Sequence, residues 1–156
     1  LHTNGYSLAR KVLLERMGLR VSDRPASLPG TVGEALLAPH RSYLEPLWPE
    51  LQQDRVKALV HITGGGFEGN IPRVLPSGVG ARVVTSAWPV LPIFQLIAEG
   101  GPVARDEMFR TFNMGIGMIL VVAPGAAEQV ESSLRARGET CYRIGELVAG
   151  DGVTLV

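Results

Sequence analysis

From Ser7 to Met17 the apolar positions recur at helical spacing, with Leu8/Val12 and Ala9/Leu13/Met17 on neighbouring stripes, and Gly18 supplies a stop. Asn4 stands where a capping residue would, which predicts backbone N–H groups just after it that no helical carbonyl engages. A loop containing Pro and Ser covers residues 23–30. Thr31-Val32-Gly33-Glu34 then fits a capping box opening a short helix that Pro39 ends. Leu44 to Gln53 reads as a further helix, with Pro46 and Pro49 better suited to a first turn than to an interior.

The pattern then turns to strands. Val56 to Ile62 is a strand candidate that runs directly into Thr63-Gly64-Gly65-Gly66. Beyond this loop, Asn70 can cap a short helix over 71–75 that Pro76-Ser77-Gly78 stops. Ala81 to Thr85 reads as a second strand and Ile93 to Ala98 as a helix. Met114 to Ala123 is the most apolar strand and is expected to be the most buried. Pro124 to Arg137 is the best-formed helix, with Glu128 and Glu131 early, Arg135 and Arg137 late, and Gly138 after it. Tyr142 to Leu147 and Val153 to Val156 close the chain as strands. Helices interleaved with strands predict a layered α/β or α+β domain.

Composition narrows the class. At 156 residues, 46% hydrophobic and 19% charged, the chain fits one soluble globular domain and is too apolar for disorder. Lys plus Arg equals Asp plus Glu at 15 each, so no cationic excess points to nucleic acid or an anionic membrane surface. The apolar run from Gly115 to Ala123 is strand-sized, too short to span a bilayer, and no signal peptide is evident. Cys141 is the single cysteine, which excludes an internal disulfide and suits a reducing cytoplasm. The start at Leu1, straight into His2-Thr3-Asn4-Gly5-Tyr6, suggests a fragment of a longer protein or the removal of an expression tag.

Two loops carry the chemistry the sequence offers. Thr3-Asn4-Gly5 opens a helix, and Thr63-Gly64-Gly65-Gly66 leaves a strand shortly before another helix. Glycines let a backbone approach a ligand closely, and consecutive unpaired N–H groups make an anion site. The same residues also admit a plain tight turn and a plain cap. Neither loop has the spacing of a P-loop or of a dinucleotide fingerprint. His2, His40 and His61 lack zinc-ligand spacing, so no metal site is expected, and His61 at a strand end also fits a buried, hydrogen-bonded histidine. Arg110 could fork onto a phosphate or cover a sheet edge, Arg73 carries the same ambiguity, and Asn113 could contact ligand or cap a turn. Phe109 and Phe112 fit the core, and Cys141 a structural role.

Four ordered segments carry a resemblance: residues 1–11 (LHTNGYSLARK), 61–67 (HITGGGF), 70–76 (NIPRVLP) and 107–118. Together they resemble the carboxy-terminal domain of the phosphoribosylformylglycinamidine cyclo-ligase family, the AIR synthetases, across nearly the whole chain. The resemblance implies a three-layer α/β/α domain, distantly ferredoxin-like with a mixed sheet. It implies ATP-dependent ring closure of formylglycinamidine ribonucleotide to aminoimidazole ribonucleotide in purine biosynthesis. ATP and Mg2+ would be bound mainly by an amino-terminal domain outside this chain, which would also form a homodimer interface and leave residues 1–156 inactive alone. Thr3, Asn4, Gly5, Thr63, Gly64, Gly65 and Gly66 would hold phosphate groups, with Asn113 and His61 nearby. Glu68-Gly69 departs from the family pattern as expected there. Two other readings stay open: a domain of the related formylglycinamidine ribonucleotide synthetase, and a non-catalytic phosphate-ligand or regulatory module.

Overall fold

The computed structural model describes all of residues 1–156, which divide into two compact units. The first comprises residues 1–40, 62–70 and 89–117 and contains only helices among its regular elements. Helix α1 (Tyr6–Arg10) continues into a π-helical stretch, Lys11–Arg16, in which the Met17 N–H reaches back to the Val12 carbonyl. Helix α2 (Val32–Leu36) starts at the expected capping box: the Glu34 N–H donates to Thr31 Oγ1 at 3.0 Å and the Thr31 N–H donates to Glu34 Oε2 at 2.6 Å. Helices α4 (Gly66–Asn70), α5 (Pro92–Gly100) and α6 (Arg105–Thr111) complete the unit. Their buried faces supply Ala9, Val12, Leu13, Phe67, Phe94, Ile97 and Met108 to the interior, Phe112 joins them from just after α6, and tilted ring pairs join Phe67 to Phe109 and Phe94 to Phe112. Such pairs add specific packing geometry to plain area burial.

The second unit comprises residues 41–61, 71–88 and 118–156. Helix α3 (Leu44–Gln52) tolerates Pro49 inside it, and helix α7 (Ala127–Ala136) follows a 3-10 turn over Pro124–Ala126. Strands β1 (Val56–His61) and β3 (Met118–Val122) form a two-stranded antiparallel sheet with Leu59 opposite Leu120 and His61 opposite Met118. Met118, Leu120 and Val122 pack on Leu47, Val130 and Leu134. The sequence pattern predicts a longer β3 that is the most buried of the strands, whereas the strand over Val79–Val83 is the more buried. Strand β3 is shorter because Met114 takes a positive φ and the Ile116 N–H turns back to the Asn113 carbonyl, and all five of its residues are half-buried.

A mixed three-stranded sheet of order β4-β2-β5 joins β2 (Val79–Val83) to β4 (Gly145–Ala149) antiparallel and to β5 (Val153–Leu155) parallel. The Gly150-Asp151-Gly152 turn crosses over the start of β2 to carry the chain from one edge to the other. The crossing is tight: a Cβ on Gly80 would lie 2.9 Å from the Gly152 carbonyl oxygen. Asp151 Oδ1 accepts from the Gly78 N–H at 2.8 Å and fixes the turn. The class is mixed α/β as expected, with its strands in two small sheets. No helix is long and apolar enough to cross a membrane.

Candidate functional site

The first unit brings together loops that the sequence keeps about sixty residues apart. Gly5 holds φ +79° at the start of α1, and the Phe112 ring lies directly against it. Asn4 does not cap α1 as expected: its Nδ2 donates to the His2 carbonyl at 2.9 Å, and Gly5 takes the capping position with no side-chain bond. That turn lays Asn4 over the second loop, its Oδ1 3.3 Å from where a Cβ on Gly64 would stand. Thr3, at φ +51°, is exposed beside it. Tyr6 donates from its hydroxyl to the Leu36 carbonyl at 2.7 Å, which anchors α1 to the end of α2.

The loop over 63–66 folds differently from the sequence expectation. Helix α4 begins before Asn70, because the Gly66 N–H closes a turn onto the Thr63 carbonyl and the Gly69 N–H bonds to the Gly65 carbonyl. Asn70 therefore ends α4 and caps nothing after it. Its side chain, 4% exposed, turns inward onto the loop. Gly65 and Gly66 have φ of +92° and +59°. A side chain on Gly66 would overlap the Phe109 carbonyl, so α6 rests on bare backbone there. That close approach requires glycine.

Leu1, His2, Asn4, Ile62, Thr63, Phe94, Phe112 and Asn113 line a tight surface concavity with no enclosed room for even a water-sized group. Phe94 and Phe112 give it apolar walls, while Asn4, Thr63 and Asn113 put amide and hydroxyl groups among them. Asn113 is 9% exposed, and its Oδ1 accepts from the Gly115 N–H at 3.1 Å, which holds the turn before β3. No Lys, Arg, Asp or Glu side chain lines the concavity, and its one titratable side chain is His2.

The remaining candidates sit elsewhere. His61 belongs to the second unit as the last residue of β1, its ring tilted against Tyr43 at 6.2 Å. In the first unit His2 and His40, far apart in sequence, stack at 4.3 Å between ring centroids, a pairing no spacing rule signals. Arg110 is exposed and pairs with Glu107 at 3.7 Å along α6, while Arg73 is exposed in the second unit. Phe109 and Phe112 are core residues, as expected. Cys141 packs on the Leu47 cluster, and burial pushes its thiol up from the ordinary value, opposed by Arg135, which agrees with a structural role.

Residues 1–156 match the family described as AIR synthase related protein, C-terminal domain. The chain belongs to that family. It is 49% identical over 151 residues to the phosphoribosylformylglycinamidine cyclo-ligase of Brevibacillus brevis, covering 97% of this chain and 44% of that protein. The chain thus spans less than half the length of the curated relatives it matches. Among solved structures, E. coli HypE is 27% identical with a TM-score of 0.58, covering 98% of this chain and 44% of that one. Thiamine-monophosphate kinase from Stenotrophomonas maltophilia reaches a TM-score of 0.64 at 16% identity, covering 98% and 47%, which shows a shared fold. Membership of this family agrees with the resemblance read from the sequence, and it accounts for the α/β architecture.

Proposed function

We propose that residues 1–156 are the carboxy-terminal domain of an ATP-dependent cyclo-ligase of purine biosynthesis, acting in the cytoplasm. The reaction converts formylglycinamidine ribonucleotide and ATP to aminoimidazole ribonucleotide, ADP and phosphate. ATP phosphorylates the formyl oxygen; the neighbouring nitrogen then attacks that carbon, closes the ring and expels phosphate. A sequence of this kind asks the protein for positioning and charge stabilisation more than for a side-chain nucleophile. The lining residues suit that demand, since beside His2 they offer the amides of Asn4 and Asn113 and the Thr63 hydroxyl.

The observation that supports this reading is the meeting of Asn4 with Gly64, together with Asn4 and Thr63, one residue from each loop, in the lining of one concavity. Thr3, Asn4, Gly5, Thr63, Gly64, Gly65, Gly66 and Asn113 are the residues assigned to phosphate-bearing ligand, with His61 a further candidate from the second unit. Magnesium prefers carboxylate and phosphate oxygens, and the concavity has no carboxylate. By the family resemblance, ATP and Mg2+ are assigned mainly to an amino-terminal part of the longer protein, together with a homodimer interface. The strong identity to a cyclo-ligase across almost the whole chain favours this reading over a synthetase domain or a binding module.

Calorimetric titration of the 156-residue chain with formylglycinamidine ribonucleotide, and separately with MgATP, tests the assignment. Binding of the ribonucleotide without MgATP is expected. In the full-length protein, Asn4→Leu should raise KM for the ribonucleotide or lower kcat. Unchanged values for both constants would remove the amino-terminal loop from the site.

A further inference from the structure

Asn70 is absent from the residues lining the concavity, yet its side chain makes four hydrogen bonds to the 63–66 loop. Its Nδ2 lies 2.7 Å from the Gly66 carbonyl oxygen and 3.3 Å from those of Thr63 and Gly64. The Thr63 hydroxyl donates to its Oδ1 at 3.0 Å. This pattern fixes which way the amide points, because the opposite orientation would set Oδ1 against three carbonyl oxygens. One buried amide thus turns three of the loop's four carbonyls to the same side.

The consequence follows from peptide geometry. In a planar trans peptide the carbonyl and the next residue's N–H point in opposite directions. With the Thr63 and Gly64 carbonyls drawn toward Asn70, the N–H groups of Gly64 and Gly65 are aimed away from it. No acceptor in the chain engages those two N–H groups, whereas the Gly66 and Gly69 N–H groups are both bonded within the loop. Successive N–H groups left free on one side of such a turn form a concave anion cradle. The positive φ of Gly65 and Gly66 completes the turn.

Resting on the reading that this loop holds phosphate, we propose that Asn70 is the positioning residue that aims the Gly64 and Gly65 N–H groups at a ligand phosphate. It acts through the backbone and does not touch the ligand. In Asn70→Asp the carboxylate keeps the bond from Thr63 but faces the three carbonyls with an acceptor, so the loop turns and the N–H groups lose their aim. Asn70→Ser is too short to span the three carbonyls.

The test is steady-state kinetics of the full-length protein with each variant, varying the ribonucleotide and MgATP in turn, beside thermal denaturation. Misaimed N–H groups should raise KM for one of the two phosphate-bearing substrates about tenfold, with kcat within about threefold. For Asn70→Asp the rise should shrink on acidification, as a protonated carboxyl regains a donor, a pH dependence that a packing defect would not show. A lowered melting temperature with both KM values unchanged would reduce Asn70 to a structural residue and overturn the proposal. Should Asn70→Asp fail to fold, Asn70→Ser and Thr63→Val, which frees the amide to rotate, carry the same expectation. Gly64→Val, which adds bulk at Asn4, separates the two readings. If it raises KM and the Asn70 variants do not, positioning by Asn70 is wrong. If none of these variants changes either KM, the loop holds no phosphate and both readings fall.

Discussion

Asn70 in the first unit and Glu50 in the second are each closed to solvent, at 4% and 0% exposure, and each gathers several hydrogen bonds. Asn70 collects its partners within eight residues of chain, and all but one are backbone carbonyls. Glu50 collects side chains only: Arg55, five residues on, at 2.8 Å, and from far along the sequence Ser133 at 2.5 Å and Arg137 at 3.0 Å. Burial alone would raise the Glu50 carboxyl, but the bonds from Ser133, Arg55 and Arg137 together hold it below its ordinary value. The neutral hub shapes a loop and leaves two N–H groups for an outside partner. The charged hub satisfies its carboxylate internally and ties α3 to α7. Buried polar groups of the same kind can therefore serve reach in one place and closure in another, depending on whether their partners are local backbone or distant side chains.

The largest way to break the contrast is at Gly66, where the local scaffold meets α6. Gly66→Ala forces a methyl into the Phe109 carbonyl at a positive φ, and should cost about 4 kcal/mol or more, at the upper end for single substitutions. Urea denaturation and soluble yield would register it. Next comes Glu50→Leu, which leaves Arg55 and Arg137 without their carboxylate. Loss of one partner of a buried ion pair costs about 3–5 kcal/mol, and the partial exposure of both arginines, 15% and 33%, favours the lower end. Unlike the Asn70 variants, it should leave both KM values unchanged in the full-length protein. A changed KM would erase the distinction between the hubs.

A smaller effect is the pH dependence of the charged hub. The folded-state pKa of Glu50 lies below the ordinary 4.5, so above that value its contribution to stability is complete. As pH falls below 4.5 the unfolded chain protonates first, and the contribution is lost as pH drops through the lowered value. Urea midpoints measured between neutral pH and pH 3 should fall more steeply in the parent than in Glu50→Gln. Asp23 and Glu34, also lowered by bonds from Arg20 and Thr31, act equally in both proteins. The smallest effect is expected from Thr31→Ala, which removes half of the capping box and should cost about 1 kcal/mol, with KM unmoved.

Signals confined to neighbouring residues were the legible part of the chain. The Thr31 to Glu34 capping box, the charge order along α7 and the strand running into Thr63 all stood where the pattern placed them. The site's two loops were visible as glycine-rich segments, and the family resemblance was visible in four motifs. What stayed hidden was direction. Asn4 and Asn70 both look like caps, yet each turns its amide onto nearby carbonyls, and no propensity reports which way a short polar side chain will swing. Helix α6 passed unmarked because its first turn is Arg105-Asp106-Glu107, and its apolar positions are few. The Glu50 network could not be read at all, since Ser133 and Arg137 lie more than eighty residues downstream.

Strand β2 has a consequence for how the protein is made. Its partners on both sides, β4 and β5, are the last two strands of the chain, and the Gly150–Gly152 crossing sets them in place together. When Val83 has been synthesised, Gly145 is still roughly 60 residues away, which at about 5–20 residues per second is a delay of some 3–12 seconds. During that interval β2 has two open edges and no sheet to join. Arg82, which later pairs with Glu146 at 3.5 Å, places a charge in the middle of the waiting strand. In the nascent chain that charge is a guard against premature pairing with a neighbour on the same polysome.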